Sequence, residues 1–415
     1  MDKVTPQDEA RLKDRIEHLV GGKVIDMDRQ VRWRPSWYVS VRQGDTVLPV
    51  YVRGDRQSDI VPFPELKREA DILRVLEQQG IPVPHIYGMC DNPVAIIMEA
   101  SEGTRDVSTA RSDEERRDVA RQYIRALAAM HQLPLETFAE IGLSIPQGAD
   151  EVALAGLEAY APLYIKHKVA PDPFLEFAMK WLRSNVPCHR QKPAFIAFDA
   201  GQFLFDQGTI TALYDFEFSM IGDPMTDLAT MAMRQSYEYM GDETAALCDY
   251  YGQITGSPVD KNVIRYHHAL FATVACMQFV GVIANPQPGD PHDIYLEWTL
   301  ALRRSLINAL AENMAVKLKP PQPLKSCGGG NENLYTMLGD TVGRIVAAED
   351  MGESTKNAAV RLIEYASRAR GDRRCREVRR QLSECWRDGR GARAIGENSR
   401  CGAGRRASAT FLESD

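Results

Sequence analysis

Apolar residues at Leu12, Ile16, Leu19 and Val20, set in a charged background, predict an amphipathic helix over residues 6 to 20. The rhythm then shortens. Val24 to Met27, Trp37 to Val41 and Leu48 to Val52 read as strands, and Gly44-Asp45 between the last two suggests a hairpin. Pro62 and Pro64 precede a helix over Glu65 to Gln79, with Leu66, Ala70, Leu73, Val75 and Leu76 apolar and Gly80 at its end. Ile81-Pro-Val-Pro is extended, because proline disfavours helix in the residue before it. Ala95-Ile-Ile-Met is a buried-type strand. From Ser112 the pattern turns mostly helical, starting with Asp113 to Gln132. Two short runs, Phe203 to Phe205 and Ile210 to Tyr214, interrupt it around an Asp206-Gln-Gly turn, and helical spacing resumes from Thr226 to about Ala315. A small antiparallel sheet with one inserted helix, followed by a helical unit, is an α+β arrangement of two lobes.

The domain boundaries follow from these shifts. Residues 1–100 form the sheet lobe and 101–318 the helical lobe. Residues 319–370 form a Pro/Gly linker with two helix-like pieces, and 371–415 an arginine-rich, lysine-free tail expected to be disordered. No internal repeat is visible.

Composition narrows the function classes. Of 415 residues, 44% are hydrophobic and 26% charged, which is ordinary for a soluble globular protein with two or three compact units. A net charge of −7 argues against a general nucleic-acid binder. The first twenty residues lack the apolar run of a signal peptide, and no stretch approaches about 18 uninterrupted apolar residues. Eight cysteines with no C-x-x-C pair and no zinc spacing read as thiols in a reducing compartment. The expectation is a cytoplasmic protein with no nucleic-acid or membrane partner.

The most informative segment runs from Leu213 to Ala229 and contains Asp215-Phe-Glu, Gly222-Asp-Pro and Asp227-Leu-Ala. An apolar strand delivers Asp215 at its end, where a carboxylate can ligate Mg²⁺ while its neighbours stay buried. This segment resembles the D-W-E…G-D-P…D-L-A stretch of the aminoglycoside-phosphotransferase and choline-kinase group, with Phe216 in place of tryptophan. Leu66-Lys-Arg-Glu-Ala-Asp-Ile-Leu, Gly80-Ile-Pro-Val-Pro-His-Ile-Tyr and Ile97-Met-Glu-Ala-Ser-Glu-Gly resemble the same family in the same order, as do Ala126-Leu-Ala-Ala-Met-His-Gln and Ile141-Gly-Leu. The similarity covers roughly residues 30 to 315.

The resemblance implies a two-lobed protein kinase-like fold that binds ATP with Mg²⁺. Phosphoryl transfer needs metal ions on the phosphates, a cation beside them and a carboxylate orienting the acceptor hydroxyl. By resemblance, Arg53 is the strand cation for the phosphates, Glu69 its helix partner, and Met98, Glu99 and Ala100 the hinge whose backbone faces adenine. Asp215 and Gln202 are the metal ligands, Gln202 standing where the family has asparagine. Glu217 and Asp223 are expected to line a mildly acidic pocket for a cationic or polyhydroxylated small-molecule substrate.

Two departures stand out. The family carries H-G-D-x-x-x-x-N, whereas this chain has Ala194-Phe-Ile-Ala-Phe-Asp-Ala-Gly-Gln. An ungapped match puts Ala197 at the catalytic aspartate; a two-residue deletion puts Asp199 there, and Asp199 is the expected base. Arg34-Pro-Ser-Trp-Tyr also stands where relatives have a glycine-rich loop, although glycine lets backbone amides approach phosphate most easily. Two readings follow: an ATP-dependent phosphotransferase acting on a hydroxyl, or a pseudokinase that binds nucleotide or a partner without turnover. His131, His267 and His268 read as packed or capping residues. The acceptor, the choice of ATP or GTP and the oligomeric state are left open.

Overall fold

A computed structural model describes residues 4–30, 34–56, 61–235, 238–287 and 292–319. Helix α1 (Pro6–Val20) opens on a reciprocal cap: Thr5 accepts from the Asp8 amide, and the Asp8 carboxylate accepts from the Thr5 amide at 2.8 Å. Strands β1 (Lys23–Gln30), β2 (Ser36–Gln43) and β3 (Thr46–Gly54) follow, then helix α2 (Leu66–Gln78) and strands β4 (Ile86–Asp91) and β5 (Val94–Glu99). They form one antiparallel sheet in the order β1-β2-β3-β5-β4. Strand β4 is an addition to the sequence reading, which had only Ile81-Pro-Val-Pro as an extended segment before Ala95. It pairs with β5 at the edge of the sheet.

Period-two alternation covers both faces of this sheet. Trp37, Val39, Val41, Val50, Val52, Ala95 and Ile97 pack with Leu12, Ile16 and Val20 of α1. Ile96 and Met98 point the other way, into a core with Leu66, Ile72, Leu73 and Leu76 of α2. Because Val50 and Val52 face α1, Arg53 falls on the α2 side. Glu69, in the first turn of α2, meets it there.

The helical lobe comprises α3 (Asp113–Met130), α4 (Leu135–Ala139), α5 (Gly148–His167) and α6 (Pro173–Ser184), then α7 (Met225–Arg234), α8 (Thr244–Thr255), α9 (Lys261–Gln278), α10 (Val280–Ala284) and α11 (His292–Asn313). Between α6 and α7 lie four short strands, β6 (Ala194–Ile196), β7 (Phe203–Asp206), β8 (Thr209–Leu213) and β9 (Met220–Gly222). Strand β6 pairs with β9, and β7 with β8. The β7–β8 turn has Gln207 at φ 46° and Gly208 at φ 82°, the positive pair that a two-residue hairpin turn requires. Helix α9 packs against α5, α6, α7 and α11. The run Lys261–Ala284 is long and apolar enough, by length and composition, to cross a membrane. Its buried Val263, Tyr266, Leu270 and Val274 are part of the lobe's core, which accounts for much of that hydropathy. The expected accessory helices and arginine-rich tail fall beyond residue 319, outside the described residues.

Candidate active site

Arg53, at the end of β3, joins the two lobes. Its Nε donates to Glu69 Oε2 at 3.0 Å and its Nη2 to Asp215 Oδ1 at 2.5 Å. All three side chains are largely shielded from solvent. Burial is the strongest influence on each, and it disfavours charge. At Glu69 burial prevails and the carboxyl pKa is raised. At Arg53 the carboxylates of Glu69, Asp215 and Glu217 outweigh burial, so the guanidinium pKa lies well above its ordinary value. At Asp215 the charges of Arg53 and Arg34 outweigh it, and the carboxyl pKa is lowered. Asp215 sits at φ 66°, a left-handed conformation that aspartate tolerates better than most residues. That turn exposes its carboxylate to the cleft while Phe216 stays buried in the core.

The loop before β7 is held from below. Asp227, fully buried in the first turn of α7, accepts from the amides of Ala197 at 2.9 Å and Phe198 at 2.8 Å. His131 Nε2 lies 3.1 Å from the same carboxylate, and its Nδ1 lies 2.8 Å from the Tyr251 hydroxyl, so His131 serves the scaffold as its position implied. Phe198, at φ 66°, turns the chain and buries its ring against Tyr160 and Phe271. Asp199 comes next and accepts from Arg234 Nη2 at 2.7 Å and from Gln202 Nε2 at 3.1 Å.

The two aligned positions differ in what they offer. Ala197 contributes an anchored amide and a buried methyl, whereas Asp199 contributes a carboxylate. Gly201, in the short turn between Asp199 and Gln202, packs directly on Arg234: at φ +98° an added Cβ would sit 2.8 Å from Arg234 Cδ. The Gly201 amide donates to the Tyr123 hydroxyl at 2.5 Å. The β7–β8 register then brings Gln202 opposite Tyr214, whose amide donates to the Gln202 carbonyl at 3.2 Å. Asp215 is the next residue along. Asp199, Gln202 and Asp215 thus share one end of one hairpin.

Burial is also the main reason the Asp199 pKa is raised, with the Arg234 cation opposing and the Asp215 charge reinforcing the rise. Removing the cation removes the chief opposing influence. The acid limb of a kcat/KM profile governed by Asp199 should therefore move to higher pH in Arg234→Met, a variant that keeps much of the apolar stem. A limb that stays put or moves down in a pH-rate profile would dissociate Arg234 from the ionisation.

Three expectations need correction. Asp223 does not line a pocket: it is fully buried, accepts a fork from Arg190 (3.0 and 2.8 Å) and accepts from the Met225 amide at 2.9 Å. Burial would raise its pKa, and the neighbouring His267 imidazole and the Arg190 fork instead hold it far below the carboxylate range. Glu217 does not make the cleft acidic, because Arg34 Nη2 binds its Oε2 and Arg56 Nη2 binds its Oε1 at 2.7 Å. At the hinge, the Glu99 amide donates to the His85 carbonyl at 2.8 Å and the Ala100 amide to the Pro49 carbonyl at 3.2 Å. Those two donors complete the sheet and do not face adenine; Met98 is buried between β3 and β4.

Sequence reasoning passed over the arginines. Arg34 stood out only as the absence of glycine, Arg68 stood in the Leu66-Lys-Arg-Glu run without a role, and Arg56 and Arg234 carried no motif at all. Their shared signal is charge at positions next to apolar strands and helices, where a buried cation requires a carboxylate from elsewhere in the chain.

A five-stranded sheet lobe with a cation–glutamate pair, facing a helical lobe that presents carboxylates from a short hairpin, defines a two-lobed protein kinase-like phosphotransferase fold. The model of the phosphotransferase enzyme family (APH) matches residues 35–261, more than half of the chain. The chain belongs to that family. Its fold is similar to that of a candidate aminoglycoside phosphotransferase from Ralstonia eutropha, with a TM-score of 0.55 and 18% identity over 72% of this chain and 98% of the other. It is also similar to a macrolide 2′-phosphotransferase type I, with a TM-score of 0.51 and 17% identity over 74% of this chain and 99% of the other. Among curated proteins, acyl-CoA dehydrogenase family member 10 of Mus musculus is 22% identical over 213 residues, 47% of this chain. The match spans only 19% of that relative's length.

Proposed function

We propose that this chain transfers the terminal phosphoryl group of ATP, with Mg²⁺, to a hydroxyl of a small molecule. The observation that carries this reading is the meeting of Arg53 and Glu69 from the sheet lobe with Asp199, Gln202 and Asp215 from the helical lobe. Family membership supports it.

The donor chemistry suits magnesium, a hard cation that takes oxygen ligands. The Asp215 carboxylate and the Gln202 amide oxygen would hold it. Among the described residues no preassembled group of three or more His, Cys, Asp or Glu is found, and Asp215 Oδ1 is engaged by Arg53. Loading the site thus entails loosening that ion pair. When bound, the metal neutralises and orients the phosphates. Arg53 presents a fork-shaped cation to phosphate oxygens, and Glu69 fixes its direction. Asp199, buried and hydrogen-bonded by Gln202 and Arg234, would accept the proton of the acceptor hydroxyl. A cytoplasmic location goes with this reading.

The test is magnesium-dependent nucleotide binding. Mg·ATP analogue should raise the melting temperature of the wild-type protein, and Asp215→Ala should weaken that binding by at least about tenfold, the worth of one charge-assisted contact. A wild-type protein indifferent to Mg·ATP analogue would remove the proposal.

A second reading, nucleotide binding without turnover, is favoured by the Arg53–Asp215 bond and by Arg34 standing in the phosphate-loop position. Magnesium-dependent binding with neither ATP hydrolysis nor transfer to any acceptor in a broad panel would select it.

A further inference from the structure

In the helical lobe, the C-terminal ends of α5 and α9, the loop 168–172 and helices α10 and α11 enclose a cavity of about 290 Å³. Its wall is mostly apolar, with Val169, Pro171, Phe279, Val280 and Ile283 lining it. Val169 is 72% and Ile283 38% exposed, so the cavity opens to solvent through an apolar rim. An apolar cavity of about 150 Å³ already accepts a benzene-sized molecule, and this one is about twice as large. One turn of a helix, about 10 Å across and 5.4 Å long, occupies roughly 420 Å³. The space therefore suits a small molecule and not a docked helix.

The polar groups in the wall define what it accepts. Among the described residues, its charged side chains are Asp172 and Arg303, and they pair with each other. Asp172 Oδ1 also caps α6, accepting from the Phe174 and Leu175 amides at 3.1 and 3.2 Å. The Tyr164 hydroxyl donates to Glu176 Oε1 at 3.3 Å and accepts from the Asp172 amide at 3.4 Å. Thr299 Oγ1 donates to the Tyr295 carbonyl at 2.6 Å. A charged ligand would give up hydration here and meet charges that already have partners. An uncharged one loses little and gains apolar contact.

The cavity stands apart from Asp199. Phe198 packs against Tyr160 of α5 and Phe271 of α9. Tyr164 and Cys276, which line the cavity, follow four and five residues later on the same helices, about 6 to 8 Å further along. The two helices run in the same direction, since a Cβ on Gly156 would meet Phe198 and Leu270, and one on Gly281, past the end of α9, would meet His167. The chain after Phe198 goes instead to α7 and α3, where the Ala200 amide donates to Thr230 Oγ1 at 3.2 Å and the Gly201 amide to Tyr123.

We propose that this cavity is a second ligand site, separate from the phosphotransfer centre, which binds a small, uncharged, largely apolar molecule of one or two rings. Its ligand enters through the Val169 and Ile283 rim without any movement of the two lobes. The site is independent of the phosphotransferase reading, because none of its residues belongs to the Arg53–Asp215 constellation.

Indole, a neutral two-ring molecule, is the probe, titrated into the full-length protein and followed by ligand-observed NMR. It should bind saturably with a dissociation constant of about 1 mM or tighter, as expected when roughly 160 Å² of apolar surface leaves water. Indole-3-acetate, an anion, and tryptamine, a cation, should each bind at least about tenfold more weakly. Ala284→Phe on α10 and Ala170→Trp on the facing loop fill the space from two sides, and each should weaken indole binding at least about tenfold. Circular dichroism and the melting temperature report whether each variant is folded, and either one carries the test alone. Absence of saturable indole binding to wild type would overturn the proposal, as would undiminished binding to the folded variants or equal binding of the charged relatives. A wild-type dimer that dissociates on Ala284→Phe in sedimentation would overturn it too, because the recess would then belong to a subunit interface.

Discussion

Asp199→Asn should lower kcat by about a thousandfold while leaving the affinity for Mg·ATP analogue within about threefold of wild type. The substitution preserves size and keeps one acceptor oxygen for Arg234 or Gln202, but an amide cannot take up the acceptor's proton. Both present partners donate to the Asp199 carboxylate. The variant therefore also sets an amide N–H₂ against a donor, which argues for measuring kcat and nucleotide affinity separately. A companion, Ala197→Asp in the Asp199→Asn background, should restore nothing: position 197 is buried, and its amide is tied to Asp227. Turnover by Asp199→Asn at the wild-type rate would show that the carboxylate is structural.

The largest effect on stability is expected at Asp227. Its two oxygens receive two loop amides and an imidazole nitrogen inside a fully buried site. Asn has one acceptor oxygen, so Asp227→Asn leaves one donor facing an N–H₂ group. The loss should be about 3 kcal/mol in urea unfolding, with activity falling in the fraction that remains folded because the Asp199 turn is no longer anchored. A change below about 1 kcal/mol would mean that the loop is held by its apolar contacts, chiefly the Phe198 ring.

Most of the architecture was legible in the chain because it rests on local periodicity. The first helix, the hairpin of β2 and β3, the inserted helix α2 and the β7–β8 hairpin all follow from alternation and turn residues that act over fewer than twenty positions. Strand β4 was not legible as a strand, since two prolines precede it and its pairing partner is supplied by β5. At the site, Arg53, Glu69 and Asp215 could be found because they stand at strand ends and in the first turn of a helix in a recognisable order. Geometry brings these three into direct contact. Asp199 could be reached only by weighing a deletion that sequence alone does not place; the structure adds that Asp227 anchors the Ala197 and Phe198 amides just before it. Glu217 and Asp223 were misjudged for one reason. A carboxylate in a sequence looks available to a substrate, and only coordinates reveal that Arg34, Arg56 and Arg190, up to 183 residues away, have already satisfied it.

The tether from Asp227 to the Asp199 turn lies wholly within the helical lobe, whereas Arg53 and Arg34 reach across from the sheet lobe. Hinge opening to admit or release nucleotide would then carry off the cations as one body and leave the acceptor-orienting carboxylate where it is. Ionic strength would act on that swing, since the contacts broken are between charges, and would leave the geometry at the hydroxyl untouched. On the proposed reading, exchange of nucleotide and alignment of acceptor would be mechanically independent, and mutations that tune one need not disturb the other.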